Sequence, residues 1–238
     1  MYKKYFKRFV DIICALSAIV VFSWLYIIIA VLVRIKLGSP VIFKQYRPGK
    51  DEKIFTLYKF RTMTDKRDET GKLLPDNKRV TPFGVFLRKS SFDELPEAFN
   101  ILKGDMSLIG PRPQLVRDMV FMTPEQRKRH SVKPGLSGLA QISGRNDLPW
   151  EQKFEYDLEY IKDITFGKDL VIIFKTIVSA FIKREGAGEA SVESPLDFGD
   201  YLLENGKISQ EEYILGHEKA KDMIEGITHK TAREAIYS

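Results

Sequence analysis

Asp93 and Glu94 stand side by side in Ser90-Ser91-Phe92-Asp93-Glu94-Leu95-Pro96, directly after the basic pair Arg88-Lys89. Acids beside bases invite a phosphate-handling reading, and they also fit a structural one. Asp93 has the chemistry of a helix N-cap, Glu94 suits a first turn, and Pro96 is tolerated there because its missing N–H would be an orphan anyway. The two roles are compatible, since a carboxylate at a helix N-terminus stays ionised and the same place attracts phosphate. Two stretches dense in glycine and proline, Gly104 to Pro113 and Val132 to Asn146, add Arg112 and Arg145. Both read as loops, which can fix a guanidinium and open backbone N–H groups toward an anion, or simply turn the chain.

The elements that must position these residues begin with an apolar run, Ile12 to Val33. It has roughly the twenty residues that a membrane helix needs. Basic residues flank both ends, with Lys3, Lys4, Lys7 and Arg8 before it and Arg34, Lys36, Lys44 and Arg47 after it. Both ends therefore read as cytoplasmic, and a helix broken near Ser23 that returns to the side it entered satisfies both flanks, while hydropathy alone equally allows an ordinary span. Val41 to Phe60 contains two β-prone runs around the turn-rich Arg47 to Glu52, a hairpin whose second strand ends with Lys59 and Arg61. A polar loop, Thr64 to Lys78, follows, and Pro82 starts a helix that delivers Arg88. Asp93 to Leu102 is expected to be a helix stopped by Gly104.

Pro149 to Ile161 reads as a helix with Trp150, Phe154, Leu158 and Ile161 as its core stripe and Asp157 elsewhere. Asp169 to Arg184 reads as a second apolar helix, too short to span comfortably, either a buried core helix or one that lies in the headgroup region of a membrane. Gly186 to Ser191 reads as a linker. A short helix from Tyr201, a stop at Gly206, a capping box from Ser209 to Glu212 and a helix to about Gly226 complete the chain. The fold class is α+β, mainly helical, in three parts: a membrane-inserted helix (1–38), a catalytic domain on the cytoplasmic side with interfacial helices (39–185), and an acidic linker with a small helical extension (186–238).

The net charge of +6 is unevenly spread, with 5 basic and 11 acidic residues from Gly186 onward against 33 and 21 before it. The first part therefore calls for an anionic partner. The basic residues lack the aromatic stacking platform of a nucleic-acid binder, so no nucleic acid is expected. The single cysteine, Cys14, lies in the apolar run and suggests neither a zinc site nor a thiol nucleophile.

Lys7-Arg8-Phe9-Val10-Asp11, Arg47-Pro48-Gly49, Tyr58-Lys59-Phe60-Arg61-Thr62-Met63, Asp93-Glu94-Leu95-Pro96, Gly104-Asp105-Met106-Ser107, Gly110-Pro111-Arg112-Pro113 and Lys133-Pro134-Gly135-Leu136-Ser137-Gly138 occur in unbroken order. In these motifs the chain resembles the monotopic phosphoglycosyl transferases, the polyprenyl-phosphate sugar-1-phosphate transferases of bacterial glycoconjugate assembly. The resemblance implies an enzyme of the bacterial inner membrane whose partners are a UDP-sugar, polyprenyl phosphate and the phospholipid bilayer; whether two copies form a homodimer stays open. By position Asp93 matches the family nucleophile and Glu94 its partner, which handles the lipid phosphate. The family requires Mg2+, with Asp93 the expected metal contact, and Lys59, Arg88, Arg112 and Arg145 would bind phosphate oxygens. Asp157 aligns with a family carboxylate that acts through the metal or a supporting arginine. The compact form resembles members that use an N-acetylated amino sugar. The family usually carries Ser-Pro in the membrane segment, and here the pair is Ser23-Trp24, so the break loses its strongest local cause.

Overall fold

The computed structural model describes residues 2–144, 148–182 and 196–236. Helix α1 (Lys7–Val21) and α2 (Ser23–Lys36) lead into strands β1 (Ile42–Pro48) and β2 (Ile54–Phe60), followed by α3 (Asp76–Arg79) and α4 (Pro82–Ser90). Helix α5 (Glu97–Lys103), β3 (Ser107–Ile109), α6 (Val116–Met119), α7 (Pro124–Arg127), β4 (Gly135–Ser137) and α8 (Leu139–Ser143) come next. Then come α9 (Trp150–Lys162), α10 (Phe166–Ile182), α11 (Phe198–Glu204) and α12 (Gln210–Ile236).

The hairpin forms as its sequence predicts, antiparallel, with Ile42 opposite Phe60 and Pro48 opposite Ile54. Its second strand buries Phe55 and Leu57 against Ala98, Ile101 and Met106, and Ala15 of α1 packs into the same cluster. Phe60 joins a second cluster with Ile29, Val33 and Leu37 of α2 and Leu87 of α4. One strand thus serves as the floor for both helices of the apolar N-terminal segment and for the two helices that flank Asp93.

That arrangement explains the break in the apolar segment. No single helix among the described residues is long and apolar enough to cross a membrane; α1 and α2 pass that test only together, and they are bent by 64°. Phe22 leaves helical geometry (φ −97, ψ 12) with no proline present. Helix α1 is drawn onto α5, α2 onto β2 and α4, and Tyr26 Oη donates to the Leu95 carbonyl at 2.6 Å. Tertiary packing supplies the bend that Trp24 does not. Trp24 itself is exposed, as are Phe9, Ile13 and Leu16 on α1, Ile27 and Ile35 on α2, and Leu170, Val171 and Phe174 on α10. Ser23 begins α2 with its side chain outward.

Three expectations are corrected. Asp93 is not the N-cap of a helix running from 93 to 102. Ser91 takes a left-handed conformation (φ 57), a single 3-10 turn covers Phe92–Glu94, and the α-helix proper starts at Glu97. The two glycine- and proline-rich stretches hold a short parallel pair, Ser107 against Gly135 and Ile109 against Ser137. The strands can approach because position 135 is glycine, where a Cβ would lie 2.1 Å from the Gly110 nitrogen. The last helix continues past Gly226 to Ile236, because a lone glycine weakens a helix by only about 1 kcal/mol and does not end it.

In the C-terminal helical pair the capping box forms as read, with Ser209 and Glu212 exchanging hydrogen bonds, while α11 starts at Phe198, ahead of the expected Tyr201. Phe198 is buried with Met122, Trp150 and Phe154, and Ala220 packs beside Val116 and Met119. The Gly186 to Ser191 linker and Arg184 lie outside the described residues.

Candidate active site

Strand β2 delivers Lys59, the 3-10 turn carries Asp93 and Glu94, α4 ends with Arg88, and the loop after β3 brings Arg112. Lys59 Nζ donates to Glu94 Oε1 at 2.7 Å and Arg112 Nη2 reaches the same oxygen at 3.1 Å. Of the residues singled out in the sequence, the structure brings Lys59, Glu94 and Arg112 into direct contact. Arg145 lies outside the described residues.

The two acids differ in environment. Burial alone would raise the Glu94 pKa, but Lys59 and Arg112 together pull it down to about 2, so it is a fixed anion. Asp93 makes no hydrogen bond or ion pair among the described residues. Burial, and then the Glu94 charge, push its pKa up to about 6, against the weaker pull of Lys59, Arg88 and Arg112. One carboxylate is locked, and the other is left with uncompensated charge. Divergent environments for neighbouring acids are a mark of divided chemical roles.

Arg88 is aimed from α4 by the bond from its Nε to Thr62 Oγ1 at 3.1 Å, and its other nitrogens pair with none of the described residues. Gly84 allows that approach, since a Cβ there would fall 1.9 Å from the Thr62 carbonyl oxygen. Gly84→Ala is expected to push α4 away from the strand end and cost about 1–3 kcal/mol, the range of core overpacking. A lowered midpoint in thermal denaturation checks it, and an unchanged midpoint would show that α4 tolerates the shift.

The Arg112 loop is set from two sides. Arg47 Nη1 donates to the Pro113 carbonyl at 3.1 Å, and Arg129 Nη2 donates to the Arg112 carbonyl at 2.6 Å. Arg129 in turn gives Nε and Nη2 to Asp157 Oδ2 at 2.9 and 2.6 Å. Asp157 therefore sits on a supporting arginine, within the buried stripe of α9 with Trp150, Phe154 and Tyr160, whereas the periodicity left it off the stripe. Its contact with the rest of the site runs through Arg129. Sequence reasoning missed Arg129, one cation in the run Arg127-Lys128-Arg129-His130. It also missed Glu97, whose only signal was its i+3 spacing from Glu94.

Lys7 and Arg8 fasten the apolar N-terminal helices to this framework. Lys7 Nζ meets Asp169 Oδ2 at 2.6 Å, and Arg8 donates to the Ile101 and Leu102 carbonyls at 2.5 and 2.8 Å. Arg8 thereby caps the C-terminus of the helix whose opposite end follows the acid pair.

Residues 2–183 match the family of bacterial sugar transferases. Over 178 residues the chain is 50% identical to EpsL of Bacillus subtilis, named as an uncharacterized sugar transferase, covering 75% of this chain and 88% of that protein. It is 35% identical over 201 residues to the undecaprenyl-phosphate galactose phosphotransferase of Salmonella typhimurium, covering 77% of this chain and 42% of the relative. It is 41% identical over 181 residues to the UDP-N-acetylgalactosamine-undecaprenyl-phosphate N-acetylgalactosaminephosphotransferase of Aeromonas hydrophila, covering 73% and 43%. The chain spans less than half the length of these last two. Its class is thus that of an enzyme, a transferase of sugar-containing groups. More particularly, it belongs to the bacterial sugar transferase family, which includes undecaprenyl-phosphate sugar phosphotransferases.

Proposed function

We propose that the protein transfers a sugar-1-phosphate from a UDP-sugar to polyprenyl phosphate, as the first membrane step of a glycoconjugate pathway. The observation that carries this reading is the unpaired Asp93 carboxylate beside Glu94, with Glu94 held by Lys59 and Arg112. An oxygen of Asp93 attacks the β-phosphorus, forming an aspartyl-phosphosugar as the bond to UMP breaks. An oxygen of polyprenyl phosphate then attacks the same phosphorus, and the Asp93 carboxylate is released. Covalent catalysis splits one difficult displacement into two easier ones. Arg88, Arg112 and Arg145 hold phosphate oxygens, for which the planar guanidinium suits bidentate contact.

Mg2+ fits the donor chemistry. Among the described residues no group of three or more histidines, cysteines or acids is placed to hold a metal. Mg2+ needs no such cage, because it is commonly held by one or two carboxylates together with substrate phosphates and water. The uncompensated Asp93 carboxylate would be that protein ligand. When bound, the ion would offset the repulsion between a carboxylate and a diphosphate and stabilise the departing oxygen.

Membranes carrying the protein, supplied with Mg2+, polyprenyl phosphate and a panel of UDP-sugars, are expected to release UMP, fastest with an N-acetylated amino sugar. Absence of UMP with every sugar would end this reading. A faster rate with a neutral hexose would correct the sugar and leave the reaction standing.

The exposed apolar faces of α1, α2 and α10, and the 64° bend, support a re-entrant insertion from the cytoplasmic side of the inner membrane. A cysteine placed at Lys3, in a Cys14→Ser background, is expected to resist a membrane-impermeant thiol reagent in intact cells and to react after lysis. Labelling in intact cells would instead establish a span.

A further inference from the structure

Lys59 serves two carboxylates. Its ammonium lies 2.7 Å from Glu94 Oε1 and 3.1 Å from Glu97 Oε1, and Glu97 is only 3% exposed. No other hydrogen bond or ion pair holds the Glu97 side chain among the described residues. The spacing is a consequence of the local fold. The chain runs from the 3-10 turn into α5 in near-continuous helical geometry, with Leu95 and Pro96 both right-handed, so Glu94 and Glu97 fall on one face, one turn apart. A buried acid at that place is not needed to hold α5, whose C-terminus is capped by Arg8 and whose inner face is secured by Ala98 and Ile101.

We propose that Glu97 is a positioning residue for the transfer reaction: by sharing the Lys59 ammonium with Glu94 it sets how much positive charge the site presents to the anionic diphosphate. The proposal rests on the reading of Lys59 and Glu94 as active-site groups. With Glu97 neutral, Lys59 and Arg112 face Glu94 alone and their remaining field is available to substrate. With Glu97 ionised, the same ammonium is divided and the site gains a negative charge.

The surrounding charges fix the direction. Lys59 faces Glu97 from β2, Glu94 and Asp93 lie on the preceding turn, and Arg112 approaches from the loop after β3. Arg47 lies nearby on β1, and Arg88 faces Asp93 from α4. Burial foremost, then Glu94, push the Glu97 pKa up to about 7, while Lys59 and Arg112 oppose the rise. Ionisation of Glu97 therefore falls near neutral pH, and it weakens substrate binding as pH rises.

The test compares KM for the UDP-sugar between pH 6 and 8.5 in the wild type, in Glu97→Gln and in Glu97→Asp, with calorimetric binding of UDP over the same range. KM of the wild type is expected to rise about tenfold on the alkaline side, as a like charge at several ångströms would produce at intermediate dielectric. In Glu97→Gln it should stay flat, so that the variant binds better than the wild type at pH 8.5. Glu97→Asp, which keeps a titratable carboxyl, should restore the rise. A packing defect would weaken binding at every pH and could not improve it at one end. Wild-type transfer combined with an undiminished alkaline rise in Glu97→Gln, or a flat profile in Glu97→Asp, would overturn the role of Glu97 alone. Failure of the wild type to release UMP at any pH would overturn the underlying reading as well.

Discussion

Asp93→Asn is expected to abolish release of UMP, with kcat lowered on the order of 10⁴-fold or more, as loss of a covalent nucleophile does. The amide matches the carboxylate in shape but cannot form the aspartyl-phosphosugar, so intact-protein mass spectrometry of the variant with UDP-sugar should show no added mass. Glu94→Gln should behave differently. If Glu94 handles the lipid phosphate, one equivalent of UMP is still released and the adduct accumulates, while turnover stops. UMP release by Asp93→Asn at the native rate would remove Asp93 from the mechanism.

The same substitution makes a stability prediction of opposite sign. An acid whose folded pKa lies above its unfolded value binds more protons folded than unfolded. The stability it supports is present at low pH and is lost as pH rises through the folded pKa. For Asp93 the window runs from about 4, the usual range for aspartate, to about 6 in the folded protein. In metal-free buffer at neutral pH, Asp93→Asn should therefore melt higher than the wild type, by a few degrees at about 2–4 °C per kcal/mol for a chain of this size. At pH 4 the difference should vanish. An unpaired carboxylate in a partly buried, acid-rich place costs stability, and removing its charge returns some of that cost.

How much of this was legible in the sequence depends on whether a signal is local. The hairpin was legible because Arg47 to Glu52 is a dense turn between two β-prone runs, and α4 because Pro82 suits a first helical position. The structure adds the cap, Thr81 Oγ1 accepting from the Gly84 nitrogen. The parallel pair was not legible. Three-residue strands 28 positions apart carry no periodic pattern, and their contact depends on a backbone approach at Gly110 and Gly135 that only the fold reveals. The 64° bend was half legible: flanking charges called for a return, while its cause lies in packing on β2 and α5, not in the residues at the break. In the site, the acids and Arg112 stood out as chemistry within turn-rich stretches. Glu97 and Arg129 did not, since one sits among helix formers and the other in a run of cations, and only its buried pairing with Asp157 separates Arg129 from its neighbours.

The second large effect belongs to that buried pair. Arg129 and Asp157 have side chains 1% and 3% exposed, and Asp157 accepts two bonds from one guanidinium. Full burial pushes the Asp157 carboxyl above its ordinary range, and the arginine charge opposes that rise. Asp157→Ala leaves Arg129 buried without its counter-ion and is expected to cost about 3–5 kcal/mol, the range for breaking such a pair from one side. Replacing both, as Arg129→Met with Asp157→Leu, should recover most of that loss, because two apolar residues of similar volume carry no unpaired charge. Activity should not recover with it. Arg129 also donates to the Arg112 carbonyl, so the double variant is stable and yet leaves Arg112 loosely placed, with a raised KM for the UDP-sugar and a kcat that changes little. A double variant that regained stability but lost kcat at saturating substrate would mean that Asp157 contacts the reacting groups or their metal directly. A raised KM alone would keep Asp157 where the structure puts it, one arginine removed from the chemistry.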